Sequence, residues 1–228
     1  MQNATEYAAG RFEKALGKAR DQWTLDEIVE LFMRENFQVV GLMHIGGDGW
    51  LKTLDFVPRD EAHLRDILQG GERADGSSLF PGTGIAADAS DIVLRPRLRT
   101  AFADPFAPVP TMAFLCGHIG RDGAPLPESP DTIVRMAHDR VVEETGTELW
   151  ALGEVEYFLG KPVEDARAAL NYDDRGYHAT SPFVFGEGLR RKAMGLLGDM
   201  GVPVKYGHSE VGYIPANEGE DMIWEQHE

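Results

Sequence analysis

Apolar residues recur at helical spacing early in the chain and then give way to short continuous runs, and this change sets the expected order of elements. Residues 11–35 carry the helical pattern. Thr24 and Glu27 in "TLDE" stand at capping-box spacing, and Ile28, Leu31 and Phe32 follow at intervals that share one helix face. The runs "FQVVGLMHI" and "WLKTLDFV" then read as two strands. The "GGDG" between them predicts a hairpin, because glycine enters positive φ without steric cost. A short helix over Asp60 to Leu68 is expected to stop at Gly70-Gly71. "ERADGSSLFPGTG" has turn chemistry and no period, so it reads as a loop, while "DIVLRPR" and "TMAFLCGHI" read as strands. This order predicts a small α+β domain.

Beyond the Pro-rich "APLPESP", Ser129 can cap a helix with Pro130 in its first turn. Ile133, Met136, Ala137, Arg140 and Val141 trace one face of that helix, and Gly146 can end it. The run Leu149 to Leu159 reads as a strand. A polar loop, "EDARAALNYDDRGYHATSP", leads to a helix from about Gly188 to Met200, with Ala193, Leu196, Leu197 and Met200 turned inward. "VPVKYGHSEV" reads as a strand carrying Glu210, and "IPANEGEDMIWEQHE" as a closing loop. Strand, helix and strand in succession place the first of these strands beside the second.

Charge narrows the partners. Lys and Arg number 22 against 38 Asp and Glu, a formal net charge of −16 over 228 residues, which disfavours a nucleic-acid partner. A single cysteine, Cys116, rules out an intramolecular disulfide and reads as a buried small hydrophobe. No apolar stretch approaches the ~18 residues of a membrane span, and the N-terminus lacks a hydrophobic signal core, so a soluble cytoplasmic chain with no membrane partner is expected.

The stretch "GEVEYF" carries the candidate chemistry. On a strand, Glu154 and Glu156 share a face roughly 7 Å apart. A solvated sheet face accounts for such a pair. So does a metal site, in which Glu154, Glu156, Glu210 and Glu228 supply four negative charges against two divalent cations. Oxygen ligands of this kind suit Mg²⁺ or Mn²⁺ better than zinc.

These residues also resemble a known family. "GEVEYFL" is similar to the glutamine synthetase motif with two metal-binding glutamates on one strand. "DDRGYHATSP" resembles the family's Gly-Tyr-Phe segment with its following proline. "LLGDMGVPVKYGHSEV" resembles its helix and strand ending in His-His-Glu-Val, and "EQHE" its Gly-Gln-x-Glu end. "ADGSSL", "SDIVLRP" and "ADPF" match its Asp-Gly-Ser-Ser, Ser-Asp-x-x-Leu and Asp-Pro-Phe segments in the same order. The resemblance implies an α+β chain. In it 36–125 would be a β-grasp domain and 126–228 the beginning of the catalytic domain with its sheet and helices, while residues 1–35, an N-terminal helical extension by their own pattern, lie outside the resemblance.

The resemblance further implies an ATP-dependent ligase that joins glutamate and ammonium, with two Mg²⁺ or Mn²⁺ ions per site and a homo-oligomeric ring. By motif, Glu156, Glu210 and Glu228 would hold one metal and Glu154 would contribute to the second. Asp75 would reach a neighbouring subunit's ammonium site, although Asp before Gly also caps turns. Tyr177 would lie near the ammonium site or serve in packing, and His208 near the phosphates or as a satisfied strand histidine. Three features depart from the pattern: His208-Ser209 replaces the double histidine, Lys205 stands where many members are acidic, and 17 residues separate Glu210 from Glu228. Family members continue for roughly another domain's length. That length carries a metal histidine, an Asn-Gly segment and phosphate-binding arginines, so the 228-residue chain alone is expected to be inactive. Related ligases use the same site for larger amines, and a non-catalytic interaction subunit is a further reading.

Overall fold

The computed structural model describes residues 9–85, 90–162, 176–214 and 222–228, with only the backbone of 212–214. The expected loop residues 164–175 and 215–221 lie outside the described residues. The chain forms two units, Met1–Leu149 and Trp150–Glu228.

In the first unit, helix α1 (Arg11–Leu16) and a 3₁₀ turn (Arg20–Gln22) precede α2 (Leu25–Arg34). The predicted box opens α2: Thr24 Oγ1 accepts from Glu27 N, and the Glu27 carboxylate accepts from Thr24 N. Strands β1 (Val39–Ile45) and β2 (Leu51–Phe56) form the expected hairpin. Asp60 caps α3 (Glu61–Gly70), which ends at Gly71, where φ is 75° and a Cβ would lie 2.2 Å from the Leu94 carbonyl oxygen. The stretch read as a loop instead contains β3 (Glu72–Asp75) and the single turn α4 (Gly76–Leu79). Pairing of Ala74 with Ile92 supplies its hydrogen bonds, a tertiary effect that leaves no local period. Then follow β4 (Asp91–Pro96), β5 (Phe102–Ala103), β6 (Thr111–Ile119) and α5 (Pro130–Thr145).

Among the described residues these strands make a six-stranded mixed sheet in the order β2-β1-β6-β4-β3, with β5 also on β6. Only β1 and β6 run parallel within it. Val40, Leu42, Met112 and Phe114 form one buried face, and Phe12, Trp23, Ile28, Leu31, Phe32, Leu64 and Ile67 from α1 to α3 and the turn between them pack in the same core. Cys116 belongs to this core, as expected, and burial pushes its thiol up to about 12.

Two buried histidines were not singled out by pattern. His118 Nε2 lies 3.1 Å from His44 Nδ1, and His118 Nδ1 lies 2.8 Å from Ser129 Oγ. Ser129 is the N-cap of α5, yet its hydroxyl turns to His118 and makes no cap bond. The apolar stripe of α5 also differs from expectation. Ile133, Val134, Met136 and Val141 are exposed, and within α5 Thr132 is the buried residue.

The second unit holds β7 (Tyr157–Pro162), α6 (Glu187–Asp199), β8 (Ser209–Ile214) and β9 (Met222–His227). Its sheet has the order β7-β9-β8, both pairs antiparallel. Three expectations change here. The strand begins at Tyr157, so Glu154 and Glu156 precede it. In the β7–β9 register Tyr157 faces His227, the last residue of β9, and the ladder runs out there. The closing loop contains β9, which separates β7 from β8. Within α6 the buried side chains are Glu187 and Arg190, while Leu197 is exposed. No helix among the described residues is long and apolar enough to cross a membrane.

Candidate metal centre

Period-two alternation divides β9 between two faces. Ile223, Glu225 and His227 are buried, whereas Trp224, Gln226 and the following Glu228 belong to the other face. His208 and Glu228 exchange both backbone hydrogen bonds at 3.0 Å, which extends the ladder by one pair and sets their side chains together. The β8–β9 register then shifts between Ser209 and Val211, a bulge that contains Glu210. An extra residue at that point re-aims a side chain, and the Glu210 carboxylate comes within 3.5 Å of His208 Nδ1. On the opposite edge of the ring, His208 Nε2 lies 3.3 Å from Glu228 Oε2.

One ligand atom from each of His208, Glu210 and Glu228 lies within 4.8 Å of the others, and all three side chains are partly buried. His208 Nδ1 also faces the Ser209 carbonyl at 3.1 Å, a contact that places a proton on Nδ1. With that nitrogen donating, Nε2 is the ring atom that would ligate a cation beside Glu228. The donor set fits a divalent cation. Two carboxylates balance its charge, and an imidazole with two carboxylates is within the ligand range of Mn²⁺ and related ions. Aromatic rings surround His208: Tyr177 at 5.1 Å edge-on, His178 at 4.3 Å and Tyr206 stacked at 5.7 Å.

The structure therefore brings together Glu210, Glu228 and His208 of the residues singled out in the sequence. Glu156 directly precedes β7, and its carboxylate accepts from Gln226 Nε2 on β9. Glu154 is exposed in a segment without regular structure, and the three-residue group includes neither of these glutamates. Tyr177 is 61% exposed and also stacks on His178 at 4.2 Å. Asp75 lies in the first unit, where it caps α4 by accepting from Ser77 N, Ser77 Oγ and Ser78 Oγ. Bonds from the Ser78, Ser90 and Ser77 hydroxyls hold its carboxyl well below the usual range.

Sequence reasoning missed a buried network behind the site. The Glu225 carboxylate accepts from Phe185 N at 2.7 Å and Gly186 N at 2.9 Å. His227 Nε2 lies 3.1 Å from the same carboxylate, and Arg190 Nη1 lies 3.0 Å from His227 Nδ1. The available signal was the alternation in "MIWEQH", obscured because two of its inward positions are polar.

No protein-family model matches the chain. Glutamine synthetase of Methanococcus maripaludis is 31% identical to it over 154 residues, which cover 66% of this chain and 34% of that protein. Glutamine synthetase of Staphylococcus epidermidis is 30% identical over 193 residues, covering 83% of this chain and 42% of that one. The chain belongs to the glutamine synthetase family. It spans less than half the length of these glutamine synthetases. The fold agrees. A cryo-EM structure of Plasmodium falciparum glutamine synthetase superposes with a TM-score of 0.58 at 15% identity, covering 90% of this chain and 44% of that one. A ligand-free structure of GmaS superposes at 0.54 with 10% identity, covering 88% of this chain and 44% of that one.

Proposed function

We propose that this chain carries part of the metal centre of an ATP-dependent glutamate–ammonia ligase. The observation that carries the reading is the convergence of His208, Glu210 and Glu228 in a chain of this family. In this reading the mixed sheet within residues 36–125 is the family's β-grasp domain, residues 126–228 begin its catalytic domain, and the complete protein assembles as a ring.

Glu210 and Glu228 would hold one Mg²⁺ or Mn²⁺ with Glu156, beside His208, and Glu154 would contribute to a second. When bound, the cations neutralise phosphate oxygens and orient the γ-carboxylate of glutamate. The chain's own groups do the rest. His208, with its Nδ1 proton committed to the Ser209 carbonyl, keeps Nε2 directed at the same space as Glu228. Tyr177 packs against that ring and would lie close to the incoming ammonium. Asp75, whose carboxyl stays ionised far into acid, supplies an anion suited to ammonium at a neighbouring subunit's site.

The test is ADP formation by the natural gene product supplied with ATP, glutamate and Mg²⁺. Ammonium-dependent turnover is expected. Turnover with methylamine or ethylamine and none with ammonium would assign a γ-glutamyl–amine ligase instead. No turnover with any amine would favour a non-catalytic interaction subunit.

A further inference from the structure

We propose that Glu225 is a positioning residue for the metal centre, acting through β9 to fix Glu228. The proposal rests on the metal reading above and concerns a residue on the opposite face of the sheet. Glu225 and His227 are both fully buried. Arginine can only donate, so the Arg190 contact makes His227 Nδ1 an acceptor and leaves the proton on Nε2, where it points at Glu225. Three donors therefore converge on this one carboxylate: Phe185 N, Gly186 N and His227 Nε2.

The two amides belong to the start of α6, so Glu225 ties that helix to the inward face of β9. The fit is close. A Cβ on Gly186 would lie 2.3 Å from His227 Nε2 and 2.5 Å from Leu159 Cδ1. Tyr157 stacks on His227 at 5.9 Å, which fixes the ring from the β7 side. Inward anchors at Glu225 and His227 thus bracket Gln226, and His227 directly precedes Glu228. The outward side chains of this stretch are those that touch Glu156 and His208. Pinning alternate residues of a strand on one face sets the direction of those between and beside them on the other.

Glu225→Gln keeps the shape but aims an amide NH₂ at a site where Phe185 N, Gly186 N and His227 Nε2 all donate. Groups that orient metal ligands from behind typically change affinity by 10- to 100-fold. Mn²⁺ binding to the 228-residue chain, followed by electron paramagnetic resonance well below each variant's melting temperature, is therefore expected to weaken about 10- to 100-fold in Glu225→Gln. The control is Glu187→Gln. Glu187 accepts from Thr180 Oγ1 at 2.7 Å and Ser181 N at 3.2 Å and pairs with Arg190 and Arg191; none of these partners is on β9, and its loss leaves all three donors on Glu225 in place, so it destabilises the start of the helix and leaves Mn²⁺ affinity unchanged. If Glu225→Gln does not fold, His227→Phe keeps a ring against Tyr157, removes one of the three donors, and is expected to weaken binding about 10-fold. Glu228→Gln separates the two ideas. Loss of binding there, with Glu225→Gln or His227→Phe titrating like Glu187→Gln, overturns the positioning role alone. No saturable Mn²⁺ binding by the wild-type chain overturns both.

Discussion

Acidification from pH 7 to pH 5 is expected to remove stability from the first unit through His44 and His118. The two rings are 4% and 1% exposed. Burial disfavours the imidazolium form and lowers both, with Lys52 adding to the effect on His44. For His118 the shift runs from 6.5 to about 4, and His44 and Arg97 reinforce burial while Asp131 opposes it. The folded value lies below the unfolded one, so below pH 6.5 the unfolded chain binds more protons. The stabilising contribution is then present in full above about pH 6.5 and is lost as pH falls through about 4. Shifts convert at about 1.4 kcal/mol per pH unit, which makes the whole contribution about 3 kcal/mol, of which about 2 kcal/mol is gone by pH 5. Carboxylates whose values are lowered, such as Glu35 and Glu187, start from 4.5 and titrate below this window. Urea unfolding followed by circular dichroism at several pH values between 7 and 5 provides the measurement. Wild type is expected to lose about 2 kcal/mol, and His118→Gln to show a distinctly flatter slope. Parallel slopes for the two proteins would refute the assignment.

Other outcomes follow from packing. Phe114→Ala empties a fully buried site at the centre of the first core and is expected to cost about 3–5 kcal/mol in chemical unfolding. Gly186→Ala forces a methyl group against His227 and Leu159 and is expected to cost about 1–3 kcal/mol. Gly188→Ala, with nothing within 4 Å of the new Cβ and a helical position, is expected to gain about 0.5–1 kcal/mol instead. Thr24→Ala removes the cap of α2 and is expected to cost about 1 kcal/mol, read as a lower melting temperature.

The sequence was most legible where a local rule sufficed. The Thr24–Glu27 box, the glycine hairpin after β1, the Gly70-Gly71 stop of α3 and the Gly146 stop all appear where spacing predicted them. It was least legible where pairing across the sheet decided the outcome. β3 reads as turn chemistry and becomes a strand because β4 bonds it. β9 was hidden because Glu225 and His227 occupy inward positions that a hydrophobic pattern reserves for apolar residues, and their burial depends on Arg190 and two helix amides far away in sequence. The same gap explains the site. Motif resemblance pointed to Glu210, Glu228 and His208, but only the bulge and the His208–Glu228 backbone pair bring their ligand atoms together. Glu154 and Glu156 alternate on paper like strand residues, yet the ladder that would make them so ends at Tyr157.

The proposed divalent-metal centre stands or falls with His208, Glu210 and Glu228. It is tested most directly by titrating Mn²⁺ into the wild-type chain and into Glu210→Gln and Glu228→Gln, with bound ion read by electron paramagnetic resonance. Saturable binding is expected for wild type and a loss of more than about 10-fold in affinity for each variant, with folding unchanged by circular dichroism. Wild type that takes up no Mn²⁺, or variants that titrate as wild type does, would contradict it.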